Sequence, residues 1–171
     1  GEAFIEREEN YIKQSYRNRC YILSSSGPQS LSVPVYLGSF HKTPIKDIRI
    51  DYLKRWQQVH LRAIRSAYSS SPYFLFYFEN IENIMLRNHV FLLDLNMDLL
   101  LALLKMLKIE CAVRYTGEYI KPGIAENDFR YSLSPKKDTG YRPEYYQKVF
   151  EYEGINEGRL SIIDLIFSQG P

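Results

Sequence analysis

The chain has 171 residues and a formal net charge of +2, and 45% of its residues are hydrophobic and 25% charged. This length is that of one domain, spanning 1–171, which can bury roughly two thirds of its unfolded surface. The composition is typical of a folded rather than a disordered protein. The small net charge argues against a nucleic-acid partner, and the lack of an apolar run of roughly 20 residues argues against a membrane partner.

Cysteine, histidine and glycine patterns predict neither a disulfide framework nor a cofactor. The chain has 2 cysteines, Cys20 and Cys111, which favours a reducing, cytoplasmic setting. Its 3 histidines lack the close spacing of zinc ligands. Residues 94–98 resemble the start of a calcium loop, but Leu99 and Lys105 replace the required glycine and glutamate. The glycine-rich patterns of phosphate-binding loops are also absent, so we predict no metal and no cofactor.

Strand signals dominate the first fifty residues. Four stretches have the alternation or the residue types of strands: 3–8, 18–24, 30–37 and 45–50. The pair Gly27-Pro28 predicts a turn between the second and third stretches, and therefore an antiparallel hairpin. Pro34 has no backbone N–H, so the second strand of this hairpin should lie at a sheet edge or contain a bulge.

Helical periodicity dominates the middle of the chain and returns at its end. The predicted helices span 51–69, 72–88, 97–107 and 160–167. Asp51 is the predicted cap of the first helix, and Asn96 the predicted cap of the third. The predicted apolar stripe of the first helix comprises Leu53, Trp56, His60, Ala63 and Ala67. The predicted basic outer face of the same helix comprises Lys54, Arg55, Arg62 and Arg65. The third helix is apolar on nearly every side, which predicts a place at the centre of the core.

The remaining segments complete an α+β fold. Residues 110–115 predict a strand, and residues 116–142 predict an irregular loop with at most one short strand at 129–133. Residues 145–152 are compatible with either helix or extended chain. We therefore predict a small antiparallel or mixed sheet packed against several helices.

The stretch Arg17-Asn18-Arg19 at the start of the hairpin is the strongest functional signal. Alternation on a strand would place Arg17 and Arg19 on one face, about 7 Å apart. Two guanidiniums at that spacing, together with Asn18, can hold a phosphate or carboxylate by charge-assisted hydrogen bonds. Lys42, in a later basic loop, is a further candidate for the same anion site. The alternatives are a solvated loop at Lys42 and arginines paired with acidic residues such as Glu6 and Asp47.

Side chains of the first predicted helix supply a second set of candidates. His60 follows Trp56 by one turn, so His60 is a candidate general acid or base beside an aromatic wall. Tyr68, farther along the helix, is a candidate for stacking on a ring. The alternative is that His60 is a hydrogen-bonded core residue. Cys20 could form a nucleophilic pair with His60, but no local signature supports it, so we predict a small core residue.

An ordered set of residues resembles the WbqC-like protein family. The set comprises Asn18-Arg19, the turn at Gly27, "LSVPV", "IKDIRI", Trp56, His60, Ile64, Tyr68, Pro72 and Phe74. The segment "LSIIDLIF" near the C-terminus resembles the Bacteroidetes branch of that family. Family members begin with a short segment carrying a Gln-Pro or Ala-Tyr element, and this chain starts after it. The resemblance therefore implies an N-terminally truncated WbqC-like domain.

The resemblance implies a role in surface polysaccharide biosynthesis, because family members are associated with surface polysaccharide and O-antigen gene clusters. The leading hypothesis is a cytoplasmic enzyme of transferase type that acts on a small anionic substrate, a nucleotide-linked sugar. Arg17 and Arg19 would hold the anion, Trp56 or Tyr68 would contact a ring, and His60 would move the proton. The rival hypothesis is a non-catalytic binding or assembly protein with an aromatic ligand or partner surface, since the chain has 15 tyrosines and 9 phenylalanines.

Overall fold

The computed structural model describes residues 1–36, 42–136, 140, 143–152 and 159–171, and it confirms the predicted α+β class. Its elements in chain order are β1 (Glu2–Ile5), β2 (Arg19–Ser24), β3 (Gly27–Ser32), a 3-10 helix (Ile45–Asp47), α1 (Trp56–Tyr68), α2 (Phe74–Met85), α3 (Leu92–Met106), β4 (Ala112–Tyr115) and α4 (Ile162–Gln169). Over these ranges the strands form two pairs: β1 is parallel to β4, and β2 is antiparallel to β3.

The predicted hairpin is confirmed, but its turn lies elsewhere. Strands β2 and β3 pair up to Ser24 opposite Gly27, so the turn is formed by Ser25-Ser26 and the pair Gly27-Pro28 lies within β3. Gly27 has a φ of 102°, which side chains rarely tolerate, and a Cβ there would lie 2.9 Å from the ring of Tyr152. The glycine is therefore required by the start of the second strand rather than by the turn itself.

The predicted strand over 45–50 is wrong. Residues Ile45–Asp47 form a 3-10 helix, in which the Asp47 N–H donates to the Pro44 carbonyl at 3.0 Å. The chain then makes isolated bridges at Arg49 and Ile50. The alternation of isoleucines reflects burial of Ile45, Ile48 and Ile50 rather than a strand.

The second strand of the hairpin is shorter than predicted. Strand β3 ends at Ser32, before Pro34, so the proline interrupts no strand pairing. The Pro34 carbonyl accepts a hydrogen bond from the Asp51 N–H at 2.9 Å. Leu37, the end of the predicted strand, lies outside the described residues.

Helix α1 begins at Trp56, later than predicted, because Asp51 does not act as its cap. The Asp51 Oδ1 atom instead accepts a hydrogen bond from the Leu53 N–H at 2.9 Å, a local turn that competes with helix formation. Leu53 is consequently 84% exposed, and its place on the predicted stripe was wrong. The other members of the predicted stripe are buried or half-buried: Trp56, His60, Ala63 and Ala67.

Helix α3 begins at Leu92, so Asn96 lies within the helix rather than at its cap. The Asn96 Nδ2 atom donates a hydrogen bond to the Arg17 carbonyl at 2.7 Å, which ties the helix to the start of the hairpin. The predicted central place of this helix is also wrong. Its buried side chains lie in its first turn and at Met106, while Leu101 is 46% exposed.

The core forms where α1, α2 and α4 pack together against the hairpin, and α3 packs on α2 and adds its buried leucines and Met106. Its aromatic centre includes Phe74, which stacks on Phe78 with ring centroids 4.5 Å apart and meets Phe167 edge to face at 5.3 Å. Tyr68 lies against the same Phe167 ring. None of the helices that the structure describes is both long and apolar enough to cross a bilayer.

The segment after β4 is irregular, as predicted, and its described residues, including 129–133, form no strand. Glu6 anchors this segment: its carboxylate accepts hydrogen bonds from the Thr116 hydroxyl at 3.0 Å and the Ile120 N–H at 2.8 Å. Residues 145–152 form neither helix nor strand.

Candidate functional site

Helix α1 and the start of the hairpin position the candidate residues. Trp56 and His60 lie one turn apart on the buried face of α1, and their rings meet edge to face with centroids 5.3 Å apart. Asn18 is held at the mouth of the hairpin, where its carbonyl accepts the Val33 N–H at 2.8 Å and its Nδ2 atom donates to the Val33 carbonyl at 2.9 Å. Helix α1 packs across β2, which brings the two sets of side chains together.

An inner cavity of about 180 Å³ lies between the hairpin, the helices α1 to α3 and the start of α4. Its apolar walls comprise Leu31, Val33, Ile64, Ile81, Met85, Leu95, Leu99, Leu103 and Ile163. The rest of its described lining comprises Tyr16, Arg17, Asn18, Arg19, Cys20, Trp56, His60, Asn96 and Ser161. Five of the predicted candidates therefore converge on one cavity that is apolar on most sides: Arg17, Asn18, Arg19, Trp56 and His60.

A wider outer basin of about 690 Å³ adjoins the inner cavity. The side chains lining both spaces are Asn18, Arg19, Val33, Trp56 and His60. The basin carries the cations Lys13, Arg19, Lys54 and Arg55 and the carboxylate Asp51. No carboxylate of a described residue forms an ion pair with any of these four cations. The basin is therefore a net positive surface that shares part of its wall with the apolar cavity.

The two arginines of the predicted anion site have different roles in the structure. Arg17 lies in a turn before β2, and its Nε and Nη2 atoms donate to both carboxylate oxygens of Glu9 at 2.6 and 2.7 Å. Its charge is thus neutralised, by Glu9 rather than by the predicted Glu6 or Asp47. Arg19 donates from Nε to the Ser32 hydroxyl at 3.0 Å, and no described carboxylate pairs with it. Arg19 therefore keeps its charge for a ligand.

Two buried polar atoms beside the cavity lack a hydrogen-bond partner within the described ranges. They are the Trp56 Nε1 donor and the Asn18 Oδ1 acceptor. An unpaired buried polar atom costs about 1–3 kcal/mol, so such atoms usually mark a bound water or ligand group. The donor and the acceptor belong to residues that line both the inner cavity and the outer basin.

Burial sets the protonation states of His60, the candidate base, and of Cys20, the candidate nucleophile. It lowers the pKa of His60 to about 4, although the Ser32 carbonyl, as a hydrogen-bond acceptor, opposes the change. His60 is therefore neutral near pH 7. Burial raises the pKa of the Cys20 thiol to about 11. Cys20 is therefore protonated, which disfavours the thiolate chemistry of a Cys–His pair.

We expect His60 to make stability fall as the pH is lowered from 6.5 to 4. The unfolded imidazole has a pKa near 6.5 and binds a proton in this window, while the folded imidazole, with its pKa of about 4, does not. The shift corresponds to up to about 3 kcal/mol, lost progressively below pH 6.5 and constant below pH 4. Urea unfolding of the wild type and His60→Gln should give a difference in unfolding free energy that falls across this window. Parallel pH profiles for the two proteins would contradict the assignment.

Tyr68 and Lys42 lie apart from this group. The Tyr68 hydroxyl accepts the Leu23 N–H at 3.1 Å and donates to Asp164 Oδ1 at 2.6 Å, and the side chain is 1% exposed. Burial and the neighbouring Asp164 carboxylate hold the pKa of Tyr68 above its ordinary value. Lys42 is exposed. Neither residue is among the described residues that line the inner cavity or the outer basin.

Comparison with known proteins shows the family to which the chain belongs. The sequence pattern of the WbqC-like protein family matches residues 3–138. The chain belongs to the WbqC-like protein family. It is also 32% identical to the uncharacterized protein Rv1507c of Mycobacterium tuberculosis, over 99% of this chain and 84% of that protein. No solved structure matches the chain.

The site of this WbqC-like protein lies almost wholly within the segment that matches the family. Of the described residues that line the two spaces, Ser161 and Ile163 alone lie beyond position 138. Sequence reasoning did not assign Lys13, Lys54 or Arg55 to the site. Lys54 and Arg55 were expected on the outer face of a helix, but they precede α1 and line the basin because the helix begins at Trp56. The sequence signal that could have indicated these basin residues was the pair of cations directly before Trp56.

Proposed function

We propose that this WbqC-like protein is an enzyme that binds a small anionic sugar derivative, a nucleotide-linked sugar, and transfers a small group onto it during surface polysaccharide biosynthesis. The observation that carries the proposal is that the inner cavity and the outer basin are lined in common by Asn18, Arg19, Trp56 and His60. A ligand with one charged part and one compact, weakly polar part fits this division. The association of the family with surface polysaccharide gene clusters supplies the biological context.

The charge of the outer basin supports binding of the phosphates there. Lys13, Lys54 and Arg55 are exposed side chains around the entrance, and Arg19 is half-buried deeper in the same basin. A guanidinium can give two parallel hydrogen bonds to phosphate oxygens, and exposed lysines add attraction at longer range. Asp51 is the one acidic side chain among the described lining residues, so the balance favours an anion.

The residues that line both spaces support binding of the sugar ring beside the inner cavity. Trp56 supplies an aromatic wall, and His60 stands beside it with an unprotonated imidazole near pH 7. A neutral imidazole next to a sugar hydroxyl can accept its proton as that oxygen attacks the carbonyl carbon of an activated acyl donor. The bond between the acyl group and its carrier then breaks, and the imidazolium returns the proton to the departing carrier. In this proposal Arg19 holds the anion, Trp56 orients the ring, and His60 acts as the general base.

Ligand binding by the basin is the direct test. We expect titration calorimetry with a panel of nucleotide-linked sugars to detect binding, which Arg19→Ala and Arg55→Ala each weaken about tenfold, or by about 1.4 kcal/mol. Arg62→Ala is the matched control, because Arg62 is an exposed arginine of α1 that does not line the basin. Affinity should also fall with salt in the wild type and less so in the two variants. The proposal would be contradicted if no nucleotide-linked sugar of the panel bound, or if all three variants lost the same affinity.

The rival hypothesis of a non-catalytic binding protein makes a different prediction for His60. It requires a shallow, tyrosine-rich patch, whereas the described lining contains only Tyr16 in the inner cavity and Tyr11 in the basin. A His60→Ala strain that still makes normal surface polysaccharide would favour the binding protein. Loss of the polysaccharide, with ligand affinity retained by the purified variant, would favour the enzyme.

A further inference from the structure

We propose that the sugar bound at this site carries an acetamido group, recognised by Trp56 and Asn18. The inference rests on the proposed function and specifies its substrate class. Its starting point is a pair of complementary groups: the Trp56 Nε1–H donor and the Asn18 Oδ1 acceptor are both buried and both without a partner among the described residues. A secondary amide carries one acceptor and one donor, and is therefore the chemical complement of this pair.

The orientation of the Asn18 amide is determined by its surroundings. Its nitrogen donates to the Val33 carbonyl at 2.9 Å, and a carbonyl can only accept, so the other end of the amide must be the oxygen. An acceptor at that position selects a ligand N–H. The single hydrogen on Trp56 Nε1 selects a ligand oxygen.

The inner cavity provides an apolar space for the methyl group of the acetamide. Its walls beside Trp56 and Asn18 include Leu31, Ile64 and Leu99, and its volume is about 180 Å³. At roughly 30 Å³ for each water in the liquid, this is space for about six non-hydrogen atoms. A hydroxyl at the same sugar position would leave that apolar space to water.

Charge argues against a free amino sugar. The cavity lining carries the cations Arg17 and Arg19, and the nearby carboxylate of Glu9 is occupied by two hydrogen bonds from Arg17. An ammonium group on the sugar would therefore meet positive charge without an acidic partner. Acetylation removes that charge and adds the carbonyl that Trp56 can bind.

The test compares two ligands that differ at one position, UDP-N-acetylglucosamine and UDP-glucose. We expect the acetamido sugar to bind about tenfold more tightly, and Trp56→Phe, which keeps the aromatic wall but removes the donor, to abolish the preference. Tyr52→Phe is the matched aromatic control, because Tyr52 contacts Trp56 but does not line the described cavities, and it should keep the preference.

A second readout uses the wild-type protein and does not depend on the folding of a variant. The chain has 1 tryptophan, so its proton–nitrogen NMR spectrum contains a single indole N–H signal, that of Trp56. We expect this signal to move downfield with UDP-N-acetylglucosamine, and with N-methylacetamide as a fragment, but not with UDP-glucose. Equal affinity and equal signal shifts for the two nucleotide sugars would overturn the acetamido assignment and leave the proposed function intact. Absence of binding by the whole nucleotide-sugar panel would instead overturn the proposed function.

Discussion

Glu9→Gln should destabilise the protein by about 3 kcal/mol, because it leaves the Arg17 guanidinium buried without its counterion. The Glu9 and Arg17 side chains are 8% and 17% exposed, and their two hydrogen bonds are 2.6 and 2.7 Å long. The glutamine keeps the shape of the side chain, so the loss reports charge rather than packing. Chemical denaturation monitored by circular dichroism measures the change.

The surface pair Arg65–Glu82 supplies the control for this prediction. Its atoms are also 2.6 Å apart, but the arginine side chain is 55% exposed. Glu82→Gln should therefore cost less than about 1 kcal/mol. The double replacement Glu9→Leu with Arg17→Met should recover most of the stability lost in Glu9→Gln, since it removes the charge along with its partner. If Glu9→Gln and Glu82→Gln lowered the free energy of unfolding equally, burial of the Glu9–Arg17 pair would not increase the cost of removing the carboxylate, and the prediction would be wrong.

Tyr68→Phe should also destabilise the protein by about 3 kcal/mol, while leaving ligand affinity unchanged. The substitution removes one hydroxyl that serves two buried groups, the Leu23 N–H and the Asp164 carboxylate. Each group left unpaired costs about 1–3 kcal/mol, and the retained ring creates almost no cavity. The Asp164 side chain, 1% exposed, keeps a hydrogen bond from the Tyr146 hydroxyl at 2.6 Å. The unfolding free energy in urea measures the loss.

The Tyr68 prediction separates a core role from the stacking role that the sequence suggested. Tyr145→Phe is the control, since the Tyr145 side chain is 75% exposed and the change should lie within about 0.5 kcal/mol of the wild type. Ligand titration of Tyr68→Phe at a temperature where it is fully folded completes the test. Weaker ligand binding by the folded variant would show that Tyr68 takes part in the ligand site.

Local sequence pattern was sufficient for the parts of the site that lie on one element. The spacing of Trp56 and His60 placed both side chains on one face of a helix, since residues four apart are neighbours on a helix surface. The hairpin after Arg19 was likewise predictable from strand signals on both sides of a turn. Such predictions succeed because the helical and strand periods depend on neighbouring residues.

Local pattern was misleading wherever a hydrogen bond competed with the regular element. Asp51 has the residue type of a helix cap, but its side chain forms a turn with the Leu53 N–H and delays the helix. The same delay places Lys54 and Arg55 at the basin instead of on the outer face of α1. Ile45 to Ile50 alternate like a strand, but the 3-10 turn after Pro44 buries the same isoleucines.

The sequence by itself determined the α+β class, the hairpin and the shared face of Trp56 and His60, because each depends on residues close together along the chain. Only the tertiary structure decided which charges remain for a ligand. Arg17 and Arg19 look equivalent in the sequence, yet Glu9 neutralises the first and no described carboxylate reaches the second. Tyr68 is likewise held in the core by its hydrogen bond to Asp164, 96 residues farther along the chain. Packing between distant segments determines burial and partners, and those contacts are not encoded in local periodicity.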